Sequence, residues 1–301
     1  MKKILVIYYS QSGQLKEISN NLIAPIKESD SCEIDYYNIQ PENPFPFPWN
    51  GKNFYDAFPE SFQQIPVDII PPPKDILDKK YDLIIFAYQV WFLSPSIPIN
   101  SFLKSLYAKQ ILGDTPILTV IGCRNMWVMS HEKVKKLIAD ANGNLVGNVS
   151  FVDRHINHVS VITIVHWMFS GKKTKLYGIF PKPGVAQRDI DAASKFGEII
   201  LNKIEKNDFK SLPIELYEAG GVLTKPFLVL MDQKANKMFS LWSKFVLSKN
   251  KNRSFKLFLF KIYLWLAIWI ISPIVFLLFL LTYPIKKRKI DHEMNYYRGI
   301  E

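Results

Sequence analysis

The chain has 301 residues and a formal net charge of +11, which is enough length for one α/β domain and an appendage. Residues 233–290 hold twelve Lys and Arg and no Asp or Glu, whereas residues 1–232 are close to neutral. A nucleic-acid-binding domain usually carries its basic face within the fold, so this distribution argues against a nucleic-acid partner.

The two cysteines, Cys32 and Cys123, have neither the pattern of a disulfide framework nor a metal-ligand spacing. This favours a reduced, intracellular compartment and no metal site. The start of the chain runs from Met1 into a short apolar stretch and then a turn, which does not resemble a secretory signal peptide. We therefore expect a cytoplasmic location.

Strand-like and helix-like patterns alternate along the chain. Short apolar or alternating runs predict strands at residues 4–8, 32–39, 81–88, 115–122 and 148–153. Helical spacing predicts helices over 13–24 (ending at Pro25), from Ile99, over 131–142 and over 189–206. The proline-rich segment 41–75 predicts a loop without regular structure. The alternation predicts a doubly wound parallel α/β sheet, in which ligands bind beyond the carboxyl ends of the strands.

The first strand ends in the turn Ser10-Gln11-Ser12-Gly13. The turn has neither the G-x-x-x-x-G-K-[ST] pattern of P-loop NTPases nor the G-x-G-x-x-G pattern of dinucleotide sites. Its hydroxyls and the amides of the following helix could bind a phosphate monoester. Alternatively, a serine caps the helix and the glycine completes an ordinary turn.

This turn resembles the FMN phosphate loop of the flavodoxin-like family, T/S-x-T/S-G-x-T, with Leu15 in place of the last hydroxyl. Two later segments, 88–92 and 122–125, resemble the family's second and third flavin loops. The resemblance covers roughly residues 1–206 and implies a flavodoxin-like, doubly wound, five-stranded parallel sheet that binds FMN. The implied FMN-binding residues are Ser10, Gln11, Ser12, Gly13, Gln14, Leu15, Tyr88, Gln89, Val90, Trp91, Phe92, Gly122, Cys123 and Arg124.

Two segments add candidates for substrate chemistry. The loop 41–75 is rich in aromatic residues, which suit an apolar substrate, a membrane contact or a core. An insertion at 154–182 contains His155 and His158 just after a strand end, where a general base belongs, and also His166. We take His155 and His158, with Arg124 beside the flavin, as catalytic candidates; a structural role for the histidines is the alternative. The aromatic residues are Phe45, Phe47, Trp49, Phe54, Tyr55, Phe58 and Phe62.

Residues 262–285 form an uncharged run of 24 residues, long enough to cross a bilayer. Because both flanks are basic, the positive-inside rule gives no orientation. A hairpin kinked at Pro273 and lying in the cytoplasmic leaflet is favoured over a span, with a buried soluble helix as the third alternative. The flanking basic residues are Lys249, Lys251, Arg253, Lys256 and Lys261 before the run, and Lys286, Lys287, Arg288, Lys289 and Arg298 after it.

The sequence thus predicts an FMN domain at 1–206, a linker at 207–232 and a membrane-associating region at 233–301, with membrane contact through 238–290. This layout resembles the family of dialkylresorcinol condensing enzymes of flexirubin-type pigment pathways. The resemblance implies FMN-dependent oxidative aromatisation of a lipophilic dialkyl cyclohexanedione, made by a partner ketosynthase, to a dialkylresorcinol. The alternatives are a membrane-tethered electron-transfer module, an NAD(P)H:quinone reductase-like enzyme, and a scaffolding protein that has lost its flavin.

Overall fold

A computed structural model of the protein describes residues 1–249 and 252–300; Lys251 of the predicted basic flank lies outside them. Its centre is a sheet of five parallel strands in the order β2-β1-β3-β5-β6. This is the flavodoxin-like strand order, with the switch point between β1 and β3, so the predicted fold class is confirmed. The strands are β1 (Lys2–Tyr8), β2 (Cys32–Asn38), β3 (Leu83–Trp91), the two-residue β4 (Ser94–Pro95), β5 (Pro116–Cys123) and β6 (Asn144–Val152).

Helices cover both faces of the sheet and bury its Ile-, Leu- and Val-rich strands. A short 3₁₀ turn spans Leu176–Gly178, and a π-helical segment spans Ala267–Ile271. The α-helices are α1 (Gln14–Lys27), α2 (Gly51–Asp56), α3 (Phe58–Phe62), α4 (Lys74–Asp78), α5 (Ile97–Leu103), α6 (Leu106–Leu112), α7 (Val128–Asp140), α8 (Asn157–Ser170), α9 (Gln187–Asp191), α10 (Ser194–Lys206), α11 (Leu212–Glu218), α12 (Pro226–Leu247), α13 (Arg253–Leu266) and α14 (Ser272–Arg298).

Several predicted boundaries differ from the structure. Helix α1 does not end at Pro25 but continues to Lys27, because a proline in the last turns removes only one intrahelical hydrogen bond and its ring packs beside Gly197 of α10. The single helix predicted over 189–206 is divided into α9 and α10. The predicted loop 41–75 contains α2 and α3, and Asn50 caps α2 by accepting the Asn53 N–H at 2.8 Å.

Residues 207–232, predicted as a linker, are packed against the domain. Leu212 and Leu216 of α11 are fully buried in the core on one face of the sheet. Val222 and Val229 join the core on the other face. The predicted boundary at 232 therefore falls inside α12, and the C-terminal helices extend the α/β domain without a break.

The segment after α12 forms one continuous helical run from α13 through the π segment to α14. Within the described ranges it is the one helix long and apolar enough to cross a bilayer, and only 6% of its most apolar window is buried. The predicted hairpin at Pro273 is wrong, since this proline stands in the first turn of α14 and the chain continues helically past it. The wide turn of the preceding π segment accommodates a residue that cannot donate a backbone hydrogen bond.

Both ends of this long helix are fastened to the domain. At its start, Arg253 donates from Nε to Asp56 Oδ1 at 2.7 Å and from Nη2 to Glu60 Oε2 at 2.8 Å. At its end, Met294 is buried in the core, and the Tyr296 hydroxyl donates to Glu132 Oε2 at 3.0 Å. The exposed apolar part lies between these two attachments.

The close contact between α1 and α10 gives a test of the fold. A Cβ at Gly197 would lie 2.0 Å from the Leu22 carbonyl oxygen, so we expect Gly197→Ala to lower the free energy of unfolding by about 1–3 kcal/mol. Helix propensity alone would favour the alanine by about 1 kcal/mol, so destabilisation measures the clash. Urea unfolding checks it, with Gly51→Ala as the control because nothing lies within 4 Å of a Cβ there. Equal stability of the two variants would contradict the packing.

Candidate functional site

A cavity of about 1250 Å³ lies beyond the carboxyl ends of β1, β3 and β5. Its walls are the loops that follow these strands, the aromatic loop before α2, and helices α8, α12 and the long C-terminal helix. Typical ligand pockets enclose about 300–1,000 Å³. This cavity is therefore large enough for more than one small ligand, and it stands at the topological switch point, where doubly wound sheets bind ligands.

The first loop turns at Gly13, whose φ of +85° places it in the left-handed region that glycine tolerates. The Ser10 Oγ accepts the Lys16 N–H at 3.2 Å, so Ser10 acts as a cap of α1. Ser12 lines the cavity and is exposed, and no hydrogen bond of its hydroxyl is seen in the described part of the chain. The Ser12 hydroxyl and the amides at the start of α1 are thus available to an anion.

The two glutamines of this loop hold neighbouring segments. Gln11 Nε2 donates to the Pro46 carbonyl at 2.8 Å, and its Oε1 accepts from Trp49 Nε1 at 3.2 Å. Gln14 bonds both backbone groups of Val185, at 3.1 and 3.2 Å. Both side chains line the cavity, but their amides are engaged in fixing its walls.

Leu15 takes a packing role at the position where the FMN loop pattern has a hydroxyl. It is buried in the core and also lines the cavity. A Cβ at Gly122 would lie 2.9 Å from Leu15 Cδ1. The first and third loops are therefore packed directly against each other, and Leu15 supplies no hydrogen bond to a phosphate.

The second loop is a tight, strained hairpin. Phe92 and Leu93 have φ of +48° and +59°, and they connect the paired residues Trp91 and Ser94 as the two central residues of a hairpin turn. Each left-handed residue of this kind costs of order 1–3 kcal/mol, and such strain concentrates at functional sites.

Lys133 of α7 holds this hairpin in place. Its ammonium donates to the Leu93 carbonyl at 3.4 Å and to Ser94 Oγ at 3.2 Å. It also lies 3.8 Å from the centroid of the Phe62 ring, a cation–π contact. Desolvation lowers the pKa of Lys133 to about 8, so the cation is present at neutral pH but loses its proton more readily than an exposed lysine.

Aromatic side chains form one wall of the cavity. Trp91 meets Trp49 edge-to-face at 5.3 Å between ring centroids, and Phe92 packs on Phe54 at 4.9 Å. Four residues of the predicted aromatic loop line the cavity: Phe47, Trp49, Phe54 and Tyr55. Phe58 and Phe62 are instead buried in a second core with α12 and α13, so the loop serves both the cavity and the core.

The third loop contributes Gly122, Cys123, Arg124 and Asn125 to the cavity lining. Arg124 Nη1 and Asn125 Nδ2 both donate to Asn157 Oδ1, at 2.7 and 2.9 Å. Burial lowers the pKa of Arg124 to about 10, which still leaves a guanidinium cation at neutral pH. The loop therefore brings a fixed positive charge to the ends of the strands.

Two buried amides of the cavity lining keep an unpaired atom. Gln89 Nε2 and Asn125 Oδ1 are buried and have no hydrogen-bond partner among residues 1–249 and 252–300. Since nearly all buried polar atoms in folded proteins are paired, this donor and this acceptor are the lining atoms that a ligand could pair with. Asn125 is the last residue of the predicted third loop, although it was not among the residues predicted to bind FMN.

Three further predicted residues, like Ser10, have structural roles and do not line the cavity. Tyr88 is fully buried, and its hydroxyl lies 3.0 Å from Nδ1 of His131, so its side chain does not face the cavity. His155 Nδ1 lies 2.7 Å from Asp153 Oδ1, outside the cavity lining as the structure describes it. His158 Nε2 donates to the Ile268 carbonyl in the π segment at 3.1 Å, because a carbonyl oxygen can only accept.

The histidine that does line the cavity is His166 of α8. The sequence placed it in the same insertion as His155 and His158 but gave no signal for which of the three faces a ligand. That choice depends on the orientation of α8 relative to the aromatic loop. The two segments are joined by the backbone N–H of Trp49, which donates to the Met168 carbonyl at 2.8 Å. A pairing between such distant segments has no local sequence pattern.

Asp232 of α12 connects the third loop to the C-terminal helices. It is fully buried, and its Oδ2 accepts the Met129 N–H at 3.2 Å in the first turn of α7, so it acts as a cap supplied from another helix. Its Oδ1 has no partner within the described ranges. Burial raises the pKa of Asp232 to about 7.

This carboxyl gives a pH-dependent test. The pKa of Asp232 is near 7 in the folded protein and about 3.9 in the unfolded chain, so between these pH values the folded protein binds one proton more. The contribution of this group to the free energy of unfolding is therefore complete below pH 4 and is lost as pH rises through 7. We expect Asp232→Asn to remove this component and to unfold at higher urea concentration than wild type at pH 8. Asp140→Asn, at an exposed position of the same region, controls for charge. Parallel stability–pH curves for wild type and Asp232→Asn would refute the assignment.

Comparisons with solved structures match between half and two thirds of the chain. No family model and no curated protein matches. Among solved structures, the chain is similar to a flavoprotein in complex with FMN from Lactobacillus acidophilus (21% identity, 50% of this chain and 93% of that one, TM-score 0.38). It is also similar to flavodoxin 1 from Bacillus cereus (14%, 66% and 97%, 0.38) and to a flavone reductase (13%, 67% and 63%, 0.37).

Proposed function

We propose that the protein is an FMN-dependent oxidoreductase that acts on a lipophilic substrate at a membrane surface. The observation that carries this proposal is the single cavity that joins all three loops at the strand ends to the apolar C-terminal helices. A cavity for FMN alone would end at the loops. The added volume between α8, α12 and the long helix suits a substrate with long alkyl chains.

The residues of the cavity fit FMN. The start of α1 offers backbone N–H groups, the positive end of the helix dipole and the Ser12 hydroxyl to the phosphate. The unpaired amide atoms of Gln89 and Asn125 match the pyrimidine edge of an isoalloxazine, which carries both donors and acceptors. The Arg124 cation suits the negative charge of a reduced flavin. Leu15 lowers the number of phosphate ligands by one.

The specific reaction that we propose is oxidative aromatisation of a dialkyl cyclohexanedione to a dialkylresorcinol. The substrate loses a hydride, which FMN can accept when bound, and a proton, which must pass to a base; turnover then needs an oxidant such as dioxygen or a quinone. His166 is the candidate base, because His155 and His158 are engaged by Asp153 and by the Ile268 carbonyl. A partner ketosynthase would supply the dione.

An electron-transfer module or a quinone reductase-like enzyme is the alternative. A carrier needs an exposed flavin edge for its redox partner, whereas Trp49, Trp91 and Phe92 wall this cavity. A cavity of this depth would also admit a quinone. A quinone reductase would therefore differ from the proposed enzyme mainly in the reductant that supplies its electrons. Reduction by a nicotinamide nucleotide separates the alternatives.

The assignment of FMN predicts a specific effect of Gln89→Met, an isosteric change that removes the unpaired amide. We expect FMN to bind about tenfold more weakly, as for the loss of one hydrogen bond, with unchanged or higher stability of the FMN-free protein. Titration with FMN, followed by flavin fluorescence, measures the first effect and urea unfolding the second. The control is Asn148→Leu, which removes another unpaired buried amide outside the cavity. Equal FMN affinity in both variants would remove Gln89 from the site.

The reaction predicts that FMN on the protein loses its colour when an alkyl cyclohexanedione is added without oxygen. One equivalent of resorcinol should form for each flavin reduced, because FMN is then the only oxidant present. Stopped-flow absorbance and product extraction measure both quantities. We expect His166→Gln to slow the bleaching at least a hundredfold, the scale of a lost general base. Bleaching by NADPH, with none by the dione, would establish the reductase alternative.

A further inference from the structure

The cavity opens onto the apolar face of the long C-terminal helix. Several of its apolar lining side chains are also exposed at the molecular surface. They include Phe258 (55%), Trp265 (58%) and Ile271 (44%) from this helix, Met238 (39%) from α12, Val165 (44%) from α8 and Tyr177 (82%) from the 3₁₀ turn. Because these side chains border both the cavity and the outside, the mouth of the cavity lies beside the long helix and is also bordered by α12, α8 and the 3₁₀ turn. The apolar part of this rim is a poor entrance from water, and the exposed Lys234 and Lys261 also belong to the lining.

The surface beyond this mouth is apolar and ends in a basic run. Leu277, Leu281 and Ile285 of α14 are 61, 75 and 87% exposed, more apolar surface than a soluble monomer normally leaves uncovered. Lys286, Lys287, Arg288 and Lys289 follow directly and are all exposed. An apolar helical face beside a cluster of cations is typical of a helix lying in an anionic lipid leaflet.

The attachment of both helix ends favours this orientation over a span. A spanning helix places its ends on opposite sides of about 30 Å of hydrocarbon. Here Arg253 at the start and Met294 near the end are both packed on the same α/β domain. The helix can therefore lie along one leaflet with its exposed face in the lipid.

We propose that the cavity opens directly into an anionic lipid leaflet and takes up an alkyl-chain amphiphile from it, between α12 and the π segment, without passage through water. This proposal depends on the proposed function only for the chemical identity of the substrate. The surface that binds the membrane and the entrance of the cavity are one feature.

The π segment forms one side of this entrance. Ala267, Ile268, Trp269 and Ile271 all line the cavity, and a π turn leaves backbone groups without their usual helical partners. His158 satisfies the Ile268 carbonyl at 3.1 Å, and its ring packs on Trp269 at 5.1 Å. The widened turn is thus held from inside the protein while its other face is open to lipid.

The charges of the lining indicate the head group of the amphiphile. Arg124, Lys234 and Lys261 line the cavity, and no Asp or Glu does so in the part of the chain that the structure describes. Apolar side chains make up most of the remaining wall. An acidic or enolic head on a long hydrocarbon chain matches this combination.

The test uses a stearic acid that carries a doxyl nitroxide near its methyl end, dissolved in phosphatidylcholine–phosphatidylglycerol vesicles. We expect the wild-type protein to sediment with these vesicles and to add an immobilised component to the electron paramagnetic resonance spectrum of the probe. Ile271→Lys places an ammonium at the mouth and should reduce that component at least about tenfold, because the charge would have to be desolvated. It should still sediment, since lysine is attracted to anionic lipid.

Leu281→Lys is the matched control, because it is the same kind of change at an exposed apolar position of the same long helix but away from the cavity lining. It should keep the immobilised component. The proposal is overturned if wild type does not sediment, if it shows no immobilised component, or if the two variants behave alike. The measurement needs neither flavin nor turnover, so it can succeed where the dione reaction fails, and the two proposals are judged separately.

Discussion

The packing of the C-terminal helix onto the α/β domain is the constraint on which the site depends. Its centre is the face-to-face contact of Phe58 with Phe260, whose ring centroids lie 3.7 Å apart, in a core that also holds Phe239 and Leu93. Leu93 belongs to the strained hairpin after β3, so one apolar cluster joins the second loop, α12 and α13. Without this cluster the strand ends would face solvent, and no enclosed cavity would form.

Buried charges then fix the loops that the apolar cluster brings together. Lys133 bonds the hairpin at Leu93 and Ser94, and Asp232 caps the helix that carries Lys133. An isolated charge in such surroundings would be strongly unfavourable. Here the ammonium has carbonyl, hydroxyl and π partners, and the carboxyl avoids the penalty by holding its proton up to about pH 7. Neither Lys133 nor Asp232 belongs to the cavity lining, so these two groups position the loops from behind the cavity wall.

Local patterns predicted the sheet and the positions of its strand ends well, because a strand buried on both faces and a turn at its end are encoded within a few residues. Val6 in β1 and Ile85 in β3 are examples, since each is apolar, β-branched and fully buried. Helix ends were less predictable: Pro25 reads as a stop, but packing against Gly197 carries α1 past it. The roles of Tyr88 and His158 depended on His131 and Ile268, partners distant in sequence that no local pattern contains. His155 pairs instead with Asp153, two residues before it, so its partner lay within the same predicted strand end.

Because the long helix packs on the α/β domain, deleting it would remove more than a membrane-binding segment. The sequence after residue 252 is typical of a membrane anchor that can be removed, and deleting such a tail is a common way to obtain a soluble domain. Here the deletion would also take away the partner of Phe58 and one whole wall of the cavity. A shortened protein could keep the flavodoxin-like sheet, and even its cofactor, while losing the chamber in which a hydrocarbon chain would be held.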